Sequence, residues 1–334
     1  MTIIGKVGWM KILKGTLLAN KINKDLRQFL DNAKVSSSSL LALKSDASKR
    51  SYYRSKNTEN NFLIMDSSLE RKSLKNFIRI SNWLKKKGYS SPDIFYNELS
   101  KGFCILEDFG DNKFSDLNNI SITKQYNLTI KLLKSLSQQQ PPLFLNYYSK
   151  LIFRKELNLF IDWYLFYNKK KNRKDISLWN EIWDELFIKV DSHKKKSIVL
   201  RDFHIDNLFW LKDRTSIKKI GLIDFQDAVI GHPAYDLVSL LQDVRVNISD
   251  KEQKRLYNVY ISSNNINRKK FEEAYFILGT QRLIKIIGIF NKLWLVENKA
   301  NYRKFLPRTW ALLKKNIYYP KLRLLSDWFK IYVF

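Results

Sequence analysis

The stretch "VLRDFHIDNLFWL", residues 199–211, is a short apolar run that carries a carboxylate and a carboxamide five positions apart, Asp202 and Asn207. A second apolar run, "GLIDFQDA", contains Asp224. Phosphoryl transfer from ATP needs a carboxylate that orients the attacking hydroxyl, and magnesium held by oxygen ligands. The pattern therefore predicts Asp202 as the catalytic base and Asn207 with Asp224 as magnesium ligands.

The spacing of Asp202 and Asn207 is not specific by itself, because both residue types also serve in turns and helix caps. Asp224 follows an apolar run, and a further acid, Asp236, follows in "GHPAYDLVSLLQD". Four polar residues in fixed order and context favour the catalytic interpretation over the structural one. We expect His204, inside the first stretch, to brace the loop by hydrogen bonds.

"LRDFHIDN" followed by "IDFQD" is similar to the catalytic and magnesium-binding loops of protein kinases. The chain resembles still more the aminoglycoside phosphotransferase and choline kinase superfamily, because "GHPAYD" matches its Gly-x-Pro-x-x-Asp segment. Within the superfamily it most resembles the anomeric N-acetylmuramate/N-acetylglucosamine kinases of cell-wall recycling, the AmgK type. That resemblance also runs through "SDASKRSYYR", "GFCILEDFGD", "ELNLFIDWY" and "QRLIKIIGIF".

The resemblance implies an α+β class and a bilobal protein-kinase-like fold, with a small β-rich N-lobe and a larger, mainly helical C-lobe. The pattern along the chain agrees, because strand-like runs surround one helix before Phe109 and helical periods dominate after Thr123. We therefore divide the chain into an N-terminal extension at 1–39, a nucleotide-covering N-lobe at 40–110, and a helical C-lobe with both loops at 111–334.

The resemblance implies further roles. The polar turn from Ser45 to Lys49 would cover the phosphates, the backbone from Glu107 to Phe109 would meet the adenine, and Asp236 would support the catalytic loop. The third-strand run "NFLIMDSS" lacks the usual phosphate-binding lysine, so that cation would be Arg50 or Arg54. The predicted ATP-binding residues are Ser45, Ser48, Arg50, Arg54, Glu107 and Phe109. The predicted substrate residues are Glu156, Asp162, Trp163, Asp206 and Gln226.

Composition limits the alternatives. The single cysteine, Cys104, excludes an internal disulfide and fits a reducing compartment, and three histidines with one cysteine argue against zinc. A formal charge of +28 would suit an anionic partner, but the lysines are spread along the chain, so we expect a solvated basic surface and no nucleic acid. No apolar run is long enough to span a membrane. Residues 1–20 have apolar residues at helical spacing, interrupted by glycines, and are interpreted as dispensable.

The combined prediction is a cytoplasmic, monomeric kinase that uses ATP and Mg²⁺ to phosphorylate the anomeric hydroxyl of N-acetylmuramate or N-acetylglucosamine. Two alternatives stay open. The acceptor could be an aminoglycoside, choline or a related alcohol, although a cationic substrate fits a basic chain less well. The missing third-strand lysine would also fit a catalytically silent nucleotide-binding or RNA-binding protein.

Overall fold

The computed structural model describes residues 22–43, 49–55, 62–116, 122–167, 176–193, 196–262 and 266–334. Ser45 and Ser48, predicted to cover the phosphates, and the apolar spacing near the amino terminus lie outside the described residues. Contacts divide the chain into two compact units. The first contains the described residues up to 116 together with Asp206–Asp227, and the second contains those from 122 to Ile205 and from Ala228 to Phe334.

The strands are β1 (Leu40–Leu43), β2 (Ser51–Ser55), β3 (Phe62–Asp66), β4 (Ile94–Glu98), β5 (Phe103–Glu107), β6 (Ser197–Val199), β7 (Leu208–Trp210), β8 (Ile220–Leu222) and β9 (Val229–Gly231). The helices are α1 (Lys24–Asn32), α2 (Arg71–Lys86), α3 (Ile122–Gln138), α4 (Lys150–Phe160), α5 (Ile176–Asp191), α6 (Ala234–Leu241), α7 (Asp250–Ser262), α8 (Arg268–Leu295), α9 (Leu306–Ile317) and α10 (Arg323–Tyr332).

The first unit contains an antiparallel sheet in the order β1-β2-β3-β5-β4. β3 and β5 each begin at a phenylalanine, continue with apolar residues and end at an acid, and β5 is buried along most of its length between β3 and β4. Helix α1 packs on this sheet through Leu26, Phe29 and Leu30, which belong to one core cluster with Ile64 and Phe103. Part of the segment that the sequence assigned to an extension, from Ile22 to Val35, is therefore packed against the sheet.

The second unit is mainly helical. The long helix α8 is buried over most of its 28 residues and packs against α4, α6 and α9. From Leu283 to Leu293 nearly every side chain of this helix is buried or half-buried. Across the described residues, no helix combines the length and the apolar character needed to cross a bilayer.

The sequence prediction of an α+β chain with one helix among the early strands and helices afterwards is confirmed. Three short strands were missed. β4 is exposed at its centre, and β7 and β9 have three residues each, so none gives a clear alternation. The two predicted strands that precede Asp202 and Asp224, β6 and β8, do not pair with each other. β6 pairs with β9, and β8 pairs with β7.

Gly288 on α8 lies directly against the backbone of α4. A Cβ atom built there would lie 2.5 Å from the Phe160 nitrogen and 2.6 Å from the Leu159 oxygen, both backbone atoms of α4. Backbone atoms cannot move aside as a flexible side chain can, so only glycine allows this approach.

We therefore expect Gly288→Ala to lower the free energy of unfolding by about 2 kcal/mol, because the added methyl group forces α4 and α8 apart. Urea unfolding followed by tryptophan fluorescence measures the change. Helix propensity alone predicts the opposite sign, a gain of about 1 kcal/mol. An unchanged or higher stability would show that the two helices tolerate a wider separation.

Candidate active site

The β7–β8 hairpin brings Asn207 and Asp224 together. Leu208 pairs with Leu222 at the open end of the hairpin, so the residue before β7 meets the residues after β8. The Ile223 N–H donates to the Asn207 carbonyl at 3.2 Å, and the Asn207 amide nitrogen lies 3.4 Å from Asp224 Oδ2. Residues separated by 17 positions thus share one end of the hairpin in the first unit.

Asp224 is the centre of a polar cluster in the first unit. Its backbone has φ of +58°, a left-handed conformation that non-glycine residues rarely adopt and that occurs often at functional sites. Gln226 donates to Asp224 Oδ1 at 2.9 Å, and Arg50 Nη1 lies 3.6 Å from the same oxygen. The carboxylate is 43% exposed, so one side of it stays accessible to a ligand.

The donor set at this end of the hairpin fits magnesium. A carboxylate and a carboxamide offer the hard oxygen ligands that the ion prefers, and magnesium usually takes only one or two protein ligands beside water and phosphate oxygens. A rotation of the Asn207 amide would turn its oxygen toward the same space. The described residues contain no cluster of three or more His, Cys, Asp or Glu side chains suited to a metal, so these two would act without further protein carboxylates.

The next residue, Phe225, fixes this segment against helix α2. Its ring stacks on Phe77 with centroids 5.0 Å apart and an interplanar angle of 5°, and both rings are buried. Phe77 lies on the buried face of α2 and offers no carboxylate there. No carboxylate of α2 can therefore pair with a third-strand cation through that position.

The structure separates the two candidate phosphate cations, Arg50 and Arg54. Arg50 is buried near Asp224. Its guanidinium donates to the Ser73 hydroxyl at 2.8 Å and lies 3.3 Å from the Glu70 carboxylate. Arg54 instead contacts Asp108 at 2.5 Å and Asp111 at 2.8 Å, and also the Gly110 carbonyl.

A cavity of about 540 Å³ adjoins Arg50. Its lining is mainly polar and basic and consists of Arg50, Ser68, Leu69, Glu70, Arg71, Lys72, Ser73 and Asp227. The Arg54 guanidinium does not reach this cavity, so an anion in it would meet Arg50.

The segment from Glu107 to Phe109 is held by the β7–β8 region of the same unit. The Glu107 carboxylate pairs with Arg214, and its backbone N–H donates to the Asp93 carbonyl at 2.8 Å. Phe109 is buried against Phe209, and a Cβ at Gly221 would lie 2.8 Å from the Phe109 ring. These contacts fix the segment that was predicted to meet the adenine.

In the second unit, the loop of Asp202 is fixed by Asp236 at the start of α6. The buried Asp236 carboxylate accepts the Leu200 N–H at 2.7 Å and the Arg201 N–H at 3.0 Å. Arg201 has φ of +71°, so the chain turns sharply just before Asp202. Burial raises the pKa of Asp236 to about 7, and the two backbone N–H groups oppose that shift. His204 is buried in the same loop, where its backbone N–H donates to the Asp202 backbone carbonyl at 3.1 Å.

Glu156, predicted to contact substrate, lies in a buried network of the second unit. One carboxylate oxygen pairs with Arg201 and lies 3.2 Å from Lys285, and the other accepts hydrogen bonds from Tyr148 and Gln281. Burial alone would raise its pKa, but Lys285 and Arg201 lower the pKa of Glu156 to about 2. The network anchors the residue next to Asp202.

The other substrate candidates lie in different surroundings. Asp162 and Trp163 belong to a π-helical continuation of α4, Ile161–Phe166, of a kind that is frequent at functional sites. Asp162 is exposed, and Lys292 lies over the Trp163 ring at 5.8 Å. Asp206 is buried in the first unit, and Gln226 contacts Asp224 there. Each of these assignments stays a prediction.

The sequence interpretation missed Lys285, Gln281, Tyr148 and Glu70. The available signal was a lysine inside the apolar run "LIKIIGIF", because a charge on a buried helix needs a partner. Nothing in the local sequence could identify that partner, since Glu156 and Lys285 are 129 positions apart.

A family model described as the phosphotransferase enzyme family matches residues 39–271. A curated N-acetylmuramate/N-acetylglucosamine kinase of Caulobacter vibrioides is 28% identical over 338 residues, which cover 87% of this chain and 91% of that protein. A protein of the same name from Pseudomonas putida is 28% identical, with 86% of this chain and 87% of that protein covered.

Solved structures show a similar fold. The choline kinase LicA from Streptococcus pneumoniae matches with a TM-score of 0.62 at 14% identity, over 87% of this chain and 100% of that chain. The ADP-bound aminoglycoside phosphotransferase APH(2'')-Ib matches with a TM-score of 0.59 at 15% identity, over 87% and 99%. These likenesses confirm the predicted protein-kinase-like α+β fold.

We expect Glu156→Gln to destabilise the chain at neutral pH by about 3 kcal/mol, because Arg201 and Lys285 would stay buried without their counter-ion. The folded-state pKa of Glu156 lies below its ordinary value of 4.5. The contribution of its charge to the free energy of unfolding is therefore present above pH 4.5 and is lost as pH falls toward about 2. The stability difference between wild type and variant should therefore shrink in acid.

Urea unfolding at pH 7 and at successively lower pH measures that difference. Asp162→Asn is the matched control, because it neutralises an exposed carboxylate close to Glu156 in sequence and should leave stability unchanged. A difference that stayed constant or grew in acid would contradict the ionised state of the Glu156 carboxylate.

Proposed function

This chain belongs to the phosphotransferase enzyme family, and we propose that it transfers the terminal phosphoryl group of ATP to the anomeric hydroxyl of N-acetylmuramate or N-acetylglucosamine. The observation that carries the proposal is the loop 200–207, with Asp202 fixed by the Asp236 carboxylate and Asn207 beside Asp224. Relatives that match nearly the whole chain bear the name of such a kinase.

We assign Asp202 the role of catalytic base. Its carboxylate would orient the acceptor hydroxyl and take its proton as the bond to phosphorus forms. An anomeric hydroxyl is more acidic than an ordinary alcohol, so a carboxylate is basic enough for this step. The rigid turn at Arg201 supports the role, because a base contributes fully only when it is held in position.

Asn207 and Asp224 would hold magnesium, which when bound neutralises charge on the phosphate oxygens. The hairpin supplies both ligands from rigid strand ends, and Gln226 and Phe225 restrain the segment that carries Asp224.

Arg50 would replace the lysine that β3 lacks, with Glu70 in place of the usual helix acid. Its support is the contact with Asp224 at 3.6 Å and the neighbouring basic cavity. Arg54 would serve the fold, since its partners Asp108 and Asp111 already compensate its charge. The cytoplasmic location and the monomeric state predicted from the sequence stay predictions.

The alternatives differ in what the protein turns over. A kinase for an aminoglycoside or choline would bind a cation near Asp202, yet the described carboxylates of that region, Glu156, Asp236 and Asp243, already have protein partners. A silent nucleotide-binding or RNA-binding protein would show no magnesium-dependent turnover. Release of ADP with a panel of N-acetylmuramate, N-acetylglucosamine, glucose, an aminoglycoside and choline separates these cases.

We expect turnover with the amino sugars, and in Asp202→Asn we expect kcat to fall by about 10² to 10⁴ with ATP affinity retained, because only proton transfer is lost. Steady-state kinetics together with calorimetric titration of ATP measure both quantities. Asp213→Asn, an exposed acid in the β7–β8 connection, is the control and should behave as wild type. Normal turnover in Asp202→Asn would remove the base assignment.

We expect Arg50→Met to raise KM for ATP about tenfold or more, since a charge-assisted contact with phosphate contributes about 1.5 to 3 kcal/mol. Arg54→Met is the matched comparison and should lower the unfolding midpoint while KM for ATP changes little. The reverse pattern would assign the phosphate contact to Arg54 and contradict the role given to Arg50.

A further inference from the structure

Arg282 on α8 is a buried arginine that neither the fold nor the proposed reaction accounts for. The residue is 4% exposed, and its Nη1 atom meets no hydrogen-bond acceptor among the described residues. Burial lowers the pKa of Arg282 relative to its ordinary value, and the nearby Tyr235, Asp243 and Asp202 offset part of that shift. The guanidinium is therefore held in the interior with incomplete compensation.

Neighbouring cations of the same unit are compensated. Arg201 and Lys285 share the Glu156 carboxylate, and Arg245 Nη1 lies 3.6 Å from Asp243. A buried donor without an acceptor is unfavourable, and a ligand that supplied the acceptor would remove that cost. The buried Nη1 of Arg282 is therefore a position at which an anionic ligand would supply the acceptor.

The position of Arg282 connects it with the catalytic loop. It lies one helical turn before Lys285, whose amine is 3.5 Å from the Tyr235 hydroxyl on α6. Helix α6 also carries Asp236, which binds the backbone just before Asp202, and Ser239, whose hydroxyl donates to the Arg201 carbonyl at 3.4 Å. Arg282 interacts electrostatically with Tyr235 of α6 and with Asp202, so it lies near the loop that the same helix holds.

We propose that Arg282 binds the carboxylate of the acceptor sugar, so that the protein prefers N-acetylmuramate over N-acetylglucosamine. This inference rests on the proposed function and names which of its two acceptors the site selects. The two sugars differ in the lactyl ether of N-acetylmuramate, which carries a carboxylate, and a guanidinium suits that planar anion through paired hydrogen bonds. The candidate ligands for the ATP phosphates, Arg50, Asn207 and Asp224, all belong to the first unit, whereas Arg282 belongs to the unit of Asp202.

Steady-state kinetics of Arg282→Met with both sugars tests the proposal. We expect kcat/KM for N-acetylmuramate to fall about 10- to 100-fold and that for N-acetylglucosamine to change by less than about threefold. Arg282→Lys should retain part of the preference, because it keeps the charge and loses the paired hydrogen bonds. Arg268→Met, at the exposed start of α8, is the matched control and should leave both values unchanged.

Two outcomes would overturn the proposal. An equal loss with both sugars would mean that Arg282 acts on the transferred phosphoryl group or on Asp202, and no loss with either would remove any ligand role. Thermal unfolding of Arg282→Met adds a structural readout, since loss of an uncompensated charge should leave the midpoint unchanged or higher. A clearly lower midpoint would assign Arg282 to the fold and contradict the proposal.

Calorimetric titration of each sugar into wild type and Arg282→Met separates this inference from the proposed function. Suppose that wild type binds N-acetylmuramate more tightly than N-acetylglucosamine and that Arg282→Met binds both with the same affinity. Arg282 then binds the lactyl carboxylate, even if neither sugar is phosphorylated. If wild type phosphorylates both sugars but binds them equally, the proposed function stands and the role of Arg282 falls.

Discussion

The arrangement of the loop that carries Asp202 depends on one interaction, the pair of hydrogen bonds that the Asp236 carboxylate accepts from the backbone of Leu200 and Arg201. Two backbone N–H groups on one carboxylate fix both the position and the direction of the chain, which a single side-chain contact could not do. The left-handed conformation of Arg201 is held by this contact, and Asp202 follows directly from it. Since Asp236 lies on a helix that is buried along its whole length, the loop takes its rigidity from the core of the second unit.

Each unit contains a carboxylate whose charge is controlled by the protein around it. In the first unit, Asp224 remains accessible while Arg50, Asn207 and Gln226 surround it, which suits a ligand for an incoming cation. In the second, Glu156 is enclosed by Arg201 and Lys285 and keeps its charge as a fixed counter-ion. A carboxylate therefore suits a ligand role where it is accessible and acts as an internal counter-ion where it is buried.

The sequence predicts roles for residues that occur in a fixed local order, and it fails where the partner is distant. Asp202, Asn207 and Asp224 occur in two short apolar segments with a fixed order, so their roles could be predicted without a structure and stay predictions. The choice between Arg50 and Arg54 could not be made, because both belong to one short segment and only their partners distinguish them. The partnership of Glu156 with Lys285 depends on the packing of α4 against α8, which no local pattern encodes. The three-residue strands β7 and β9 were missed for a related reason, since such short elements form only through pairing with β8 and β6.

The central claim is that the phosphoryl group is transferred to the anomeric oxygen of an amino sugar. Phosphorus NMR of the product formed from ATP, magnesium and N-acetylmuramate tests this claim most directly, because coupling of phosphorus to the anomeric proton identifies the carbon that bears the phosphate. The account predicts a sugar 1-phosphate that is absent when Asp202→Asn replaces the wild type. A phosphate on any other hydroxyl, or ATP consumed without a phosphorylated sugar, would contradict it.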